Sequence, residues 1–201
     1  MSDSSENQGD VSAASVRTNT PSGQAQRAYL GVGGNIGERG DLLSRAVLAL
    51  VRHPMVDVRA VSSLYETPPM YLLEQPPFWN ACVELDVRLT PHDLLELCLE
   101  VEAALGRVRR AANGPRTVDV DVLFVGAHVL HDDALCVPHP LYKERAFVLG
   151  PMVELAPQLR DPVTGDTMRA LWQALPAQAR ASIRRIEGGW SAPVAPLCVR
   201  P

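Results

Sequence analysis

The sequence predicts an α+β fold, a ferredoxin-like βαββαβ sandwich in which helices pack on an antiparallel sheet. Strand-period and helix-period apolar patterns follow one another in that order. The second helix is punctuated at both ends, by Thr90-Pro91 and by Gly106. Finally, residues 117–124 read as a strand with one apolar and one charged face. At 201 residues and 46% hydrophobic, the chain suits a single domain with a substantial core.

The elements follow in order. Residues 1–26 are rich in Ser, Asn, Gln, Gly and Asp without apolar periodicity and are expected to form a disordered leader. The domain proper is expected over residues 27–188. It opens with a strand at 28–33, a helix at 41–52, a strand at 56–66, a proline-rich loop and a strand at 79–87. In the helix at 91–105, Leu94, Cys98, Val101 and Leu105 form one stripe while Glu96 and Glu100 face water. After the 117–124 strand and a short partner near Val129 come helical pieces at 142–154 and 168–175 and a possible strand at 182–187. Residues 189–201, with Trp190 and three prolines, read as a flexible tail.

Within the charged strand, Val118, Val120, Val122 and Phe124 are expected on one face and Thr117, Asp119 and Asp121 on the other. Asp119 and Asp121 then lie roughly 7 Å apart at the backbone, near enough to share a hard cation. A solvated acidic edge is the plainer alternative, but aspartate is a poor strand former. Magnesium fits, since it takes one or two carboxylates and leaves positions for substrate phosphates. No His or Cys lies near in sequence to favour zinc. Glu102 falls in an apolar arc beside Cys98, Leu95 and Leu99, where it either caps the core edge or is held for a partner. Just past the helix, Arg107 and Arg109 form a two-pronged clamp suited to phosphate oxygens, with Arg116 following before the aspartates. Cations for phosphates and anions for a metal within so short a stretch suit phosphoryl-type transfer. His139, flanked by prolines, enters a short helix carrying Lys143 and Arg145; alone it is a weak signal for a phosphate contact or a proton carrier.

Together these segments resemble the 6-hydroxymethyl-7,8-dihydropterin pyrophosphokinase family. The signature lies in Gly106-Arg107-Val108-Arg109 followed by 114–121, Gly-Pro-Arg-Thr-Val-Asp-Val-Asp. Matching blocks stand at 29–36, at 62–69, at 78–81 and around the proline–histidine stretch, covering about residues 28–175. The resemblance implies ATP as co-substrate, two Mg²⁺ ions on Asp119 and Asp121, and pyrophosphoryl transfer to a pterin alcohol with release of AMP. It implies phosphate and transition-state contacts from Arg107, Arg116, Lys143 and Arg145, with Arg109 on a closing loop. Nucleotide contacts are implied for Glu102 and His139. Thr67, Pro68, Pro69, Met70 and Asn80 match the pterin pocket, and Phe78 and Phe147 match the aromatic pair that sandwiches the ring. Three departures stand out. Asn113 replaces a common aromatic in a loop that looks one residue short, Phe78 replaces a common tyrosine, and Met70 follows the prolines.

Composition narrows the alternatives. No apolar run reaches membrane-span length, and the N-terminus lacks the basic and apolar regions of a secretory signal. Cys82, Cys98, Cys136 and Cys198 lack Cys-x-x-Cys spacing, so reduced thiols in a cytoplasm are expected. A net charge of −4 argues against general nucleic-acid binding, and an RNA-binding module of the same strand order would need exposed sheet aromatics. Gly31-Val32-Gly33 breaks the dinucleotide pattern, because the third glycine falls at Gly37. The only lysine, Lys143, follows no Gly-rich loop, which excludes a Walker motif. A nucleotide sensor without activity is the other rival, disfavoured by the joint presence of the aspartates and the clamp. A monomer is expected, with weak self-association as the alternative.

Overall fold

The computed structural model describes residues 24–70, 72–107 and 114–190. Among them, six strands form one antiparallel sheet. β1 (Gln26–Gly34) lies between the edge strand β5 (Asp119–Val125) and β4 (Phe78–Val87). Beyond β4 come β2 (Val56–Val61) and β3 (Leu64–Thr67), and β8 (Arg184–Ile186) pairs with β3 at the edge. A separate hairpin joins β6 (Leu130–His131) to β7 (Cys136–Val137). The lateral order β5-β1-β4-β2/β3 fits the predicted βαββαβ fold class.

Helices α1 (Arg39–Val51) and α2 (Pro91–Ala104) cover one face of the sheet, sealing Leu30, Val83, Leu85, Leu94 and Cys98 in the larger core. α2 starts where predicted. The Thr90 hydroxyl accepts from the Asp93 amide at 3.2 Å while the Asp93 carboxylate accepts from the Thr90 amide, and Gly106 ends the run at φ 76°. The opposite face carries α3 (Ala146–Leu155) and α4 (Met168–Ala174), with the short α5 (Ala177–Ala181) following, over a second core around Phe124, Tyr142, Leu149 and Met152. The sheet is thus buried on both faces, one layer more than a two-layer sandwich.

Five local expectations are corrected. The predicted 56–66 strand is broken at Ser62–Ser63, because the Ser62 hydroxyl accepts from the Cys82 amide at 2.9 Å and the Ser63 amide turns to Glu154. A β-bulge between Tyr29 and Leu30 leaves Leu123 extra on β5, so Phe124 joins the second core rather than the Val118–Val120–Val122 face. The 142–154 helix is two pieces, a 3₁₀ turn at Tyr142–Glu144 and α3, divided by Arg145 in extended backbone at φ −102°, ψ 101°. At the ends, β1 already begins at Gln26, paired with Val87. Trp190, expected in the tail, packs against the main core and donates its indole N–H to the Ser62 carbonyl at 3.0 Å.

Candidate active site

The site forms where β1 runs out between its two neighbours. Register places Gly31 opposite Asp121 and Gly33 opposite Asp119 on one side, and Gly33 opposite Asn80 on the other. The absent side chains make a floor between the aspartates and the amide. A Cβ at Gly34 would stand 2.3 Å from the Thr117 carbonyl, so that position requires glycine, and one at Gly33 would stand 2.5 Å from the Asn80 Oδ1 and displace the amide.

Asp119 and Asp121 share the predicted face and line the same cleft. Burial, then the neighbouring charge of Asp119, pushes the Asp121 carboxyl up to about 7. Asp119 is already surrounded by cations: Arg107 Nη1 at 2.5 Å and Arg116 Nε at 3.3 Å. Arg107 reaches in the other direction to the Glu102 carboxylate, which also accepts the Val120 amide at 2.8 Å. Glu102 is 4% exposed, and burial raises its pKa despite these partners. It therefore caps the edge of the core and holds an arginine in one act, which joins the two readings its position left open.

His139 is set as a donor. The Leu141 amide donates to its Nδ1 at 3.2 Å, which puts the proton of a neutral ring on Nε2. Burial, and then Arg145, lower its pKa to about 4, so the ring is neutral at physiological pH. Nε2 faces Arg145 Nη1 at 3.5 Å, two donors side by side, and both residues line the cleft that holds the aspartates. This favours an anion contact over a proton carrier.

Two clefts meet here. One, of about 250 Å³, runs over the glycine floor between Thr67, Phe78, Asn80 and Phe147. Another, of about 310 Å³, lies between α2 and the β6–β7 hairpin, with Leu95, Leu99, Val122 and Leu135 as an apolar lining. Arg107, Asp119, Asp121 and His139 line both. In the first cleft Asn80 donates to the Thr67 hydroxyl at 2.9 Å, and both side chains are nearly buried. Pro68, Met70, Arg116 and Arg145 also line it. An apolar slot with a fixed amide edge on one side, and a slot behind a cationic gate on the other, suits two flat ligands joined at an anionic centre.

Not every predicted residue is brought in. Lys143 turns away to Asp161, whose buried carboxylate also accepts the Val163 amide at 2.8 Å and the Thr164 hydroxyl at 3.0 Å. It lines neither cleft, because the break at Arg145 sends the two cations in different directions. Pro69 does not line the first cleft either. Arg109 and Asn113 lie outside the described residues. Asn35, which enters the sequence reading only as part of the matching block at 29–36, is a hub. Its amide donates to the Gln75 side chain at 3.1 Å and the Pro76 carbonyl at 3.0 Å, and its Oδ1 accepts the Arg116 amide at 2.9 Å. Its own backbone N–H donates to the Arg116 carbonyl at 3.0 Å. The buried asparagine so ties the proline-rich loop to the arginine that faces Asp119.

The hard-oxygen donor pair, the arginines around it and the two ligand slots define an enzyme of the phosphoryl-transfer class. The comparisons make this particular. Residues 29–157 match the family model described as 7,8-dihydro-6-hydroxymethylpterin-pyrophosphokinase. A 2-amino-4-hydroxy-6-hydroxymethyldihydropteridine pyrophosphokinase from Methylorubrum extorquens is 46% identical over 161 residues, covering 80% of this chain and 99% of that protein. One of the same name from Bacillus subtilis is 42% identical, over 68% of this chain and 82% of that protein. The chain belongs to the 7,8-dihydro-6-hydroxymethylpterin-pyrophosphokinase family. Its fold matches a Plasmodium falciparum HPPK-DHPS crystal structure with pterin and p-hydroxybenzoate, at a TM-score of 0.63 and 17% identity. That match covers 81% of this chain and 46% of the solved one, so the chain spans under half of that larger protein.

Proposed function

We propose that this chain transfers the pyrophosphoryl group of ATP to the hydroxymethyl oxygen of 6-hydroxymethyl-7,8-dihydropterin, releasing AMP, as a step of folate biosynthesis. The observation that carries the reading is the meeting of two clefts at one aspartate pair ringed by Arg107, Arg116 and Arg145. The pterin lies over the glycine floor between Phe78 and Phe147, its polar edge on Asn80 and Thr67, with Pro68, Pro69 and Met70 around it. The nucleotide enters from the α2 side, its phosphates spanning the aspartates. Membership of the family supports both halves.

Asp119 and Asp121 are the residues that would hold two magnesium ions. Their donor set fits, as two carboxylates lining one cleft suit a hard cation that keeps positions for phosphate, and burial with the adjacent Asp119 charge makes the Asp121 carboxylate costly to ionise without a cation. When bound, the ions neutralise the phosphates and lower the barrier to attack on them. The chain's own residues do the rest. Phe78, Phe147 and Asn80 align the hydroxymethyl oxygen with the β-phosphorus. As that bond forms and the β-phosphorus–oxygen bond to the α-phosphate breaks, charge grows on the phosphoryl oxygens. Arg107, Arg116, Arg145 and the His139 Nε2–H donate to it, and Arg109, two residues past Arg107 in sequence, is read as a further donor. The hydroxymethyl proton leaves to solvent, since no side chain among the described residues is placed as a strong base. Glu102 serves the nucleotide half through Arg107, and Lys143 serves it by anchoring the turn before Arg145. We further read the protein as a cytoplasmic monomer that binds neither nucleic acid nor membrane; no helix among the described residues is long and apolar enough to cross one. A coupled assay for AMP tests the function: release must depend on both ATP and the pterin alcohol, and ATP hydrolysis indifferent to the pterin would defeat the reading.

A further inference from the structure

We propose that Phe78 and Phe147 are positioning residues for the nucleotide half of the site as well as walls for the pterin. This rests on the reading above and deepens it. Each ring carries one guanidinium of the phosphate cluster: Arg116 Cζ lies 5.2 Å from the Phe78 centroid, and Arg145 Cζ lies 5.5 Å from that of Phe147. All four side chains line the same cleft. Cations at this distance from an aromatic ring are drawn to its negative face.

The two pairs are not equivalent. Arg116 has an anionic partner in Asp119 at 3.3 Å and a backbone fixed by Asn35 through both its N–H and its carbonyl. Its ring adds to an orientation already set. Arg145 has less. Its Nε is buried with no hydrogen-bond partner among the described residues, and its nearest imidazole nitrogen, at 3.5 Å, is itself a donor. Apart from the charge of Asp121, the Phe147 ring is the attractive contact that keeps this guanidinium beside His139 before any phosphate arrives. Arg145 caps α3 and Phe147 is its second residue, so ring and cation share one rigid helix start.

The ring therefore affects nucleotide affinity on its own. A ring that only sandwiched the pterin would leave nucleotide affinity untouched when removed. A ring that holds an arginine lowers the reorganisation the phosphates must drive, so its loss weakens nucleotide binding with no pterin present. A cation–ring contact corresponds to about a two- to fivefold effect when exposed and up to about thirtyfold when desolvated.

The test is a calorimetric titration of the full chain with α,β-methylene-ATP and MgCl₂, without pterin. Binding by the unaltered protein is the control for the nucleotide reading, and its absence there would count against that reading rather than against this one. Phe147→Leu is expected to lose at least fivefold in nucleotide affinity, and Phe78→Leu about two- to threefold. Phe147→Tyr, which keeps the ring, is expected to retain the affinity. In an Arg145→Met background, Phe147→Leu should change nothing further. Phe147→Met serves as the ring-free variant if the leucine variant does not fold. Unchanged nucleotide affinity in the ring-free variants, with only the KM for the pterin raised, would overturn the proposal. So would an equal loss in the Arg145→Met background, which would trace the effect to something other than the arginine.

Discussion

The two halves of the site are held by different physics. On the pterin side, Asn80, Thr67 and the glycine floor are set by β-sheet register and a neutral hydrogen bond between nearly buried side chains. On the nucleotide side, Arg107, Arg116, Glu102 and the aspartates hold one another by opposed charge, while burial and then the charge of Asp119 raise the pKa of Asp121. The first half is complete without ligand. The second is balanced for a cation and phosphates, which explains how one strand end supports both shape recognition and charge chemistry.

Breaking the nucleotide half should have the largest effect. Asp121→Asn is expected to lower turnover by about two to three orders of magnitude or more, yet to raise the melting temperature of the ligand-free protein at pH 8. The sign follows from linkage. A carboxyl raised from 3.8 to about 7 contributes stability that is complete below about pH 4 and lost as pH rises through 7, so its neutral replacement removes that loss. Thermal melts of both proteins at pH 5 and pH 8 check this: the gap should open at pH 8, by about 2–4 °C per kcal/mol relieved. Equal melting at both pH values would detach Asp121 from the charge balance.

Next comes the arginine shared between two acids. Arg107→Gln should reduce kcat by about 10²-fold with a smaller change in KM, as for a donor that matters most when charge develops. Glu102→Gln, which leaves Arg107 in place but frees it, should reduce kcat less, by about tenfold. A Glu102→Gln effect confined to the KM for ATP would make Glu102 a direct nucleotide contact instead.

The hub between the halves is the third target. Asn35→Ala removes donors to Gln75 and Pro76 and the acceptor for the Arg116 amide, so it should raise the KM for both substrates at once. A cost of about 1–3 kcal/mol for the groups left unpaired corresponds to roughly five- to 150-fold in combined kcat/KM. The smallest effect is expected on the pterin side alone: Thr67→Val strips the acceptor from Asn80 and should raise the pterin KM about five- to tenfold while leaving nucleotide binding unchanged.

Much of this was legible in the residues. The alternation at Asp119 and Asp121, the Thr90–Asp93 cap and the Gly106 stop are local, and local rules placed them correctly. The misplacements have a common cause in partners distant along the chain. Phe124 changed faces because a bulge opposite Tyr29 inserted Leu123, and no pattern within β5 reveals a bulge set by its neighbour. Lys143 looked like a phosphate ligand until Asp161, eighteen residues on, supplied a buried counter-charge. Asn35 carried a weak signal, a polar residue closing a glycine run, but its importance lies in three segments that meet only in the fold.

The central claim is that Asp119 and Asp121 are the point at which both clefts converge on a cation-bound phosphate chain. Manganese binding followed by electron paramagnetic resonance, in the presence of α,β-methylene-ATP, tests it most directly. Two ions per protein are expected for the unaltered chain, with loss of tight sites in both Asp119→Asn and Asp121→Asn. Undiminished manganese occupancy in the two variants would contradict the account.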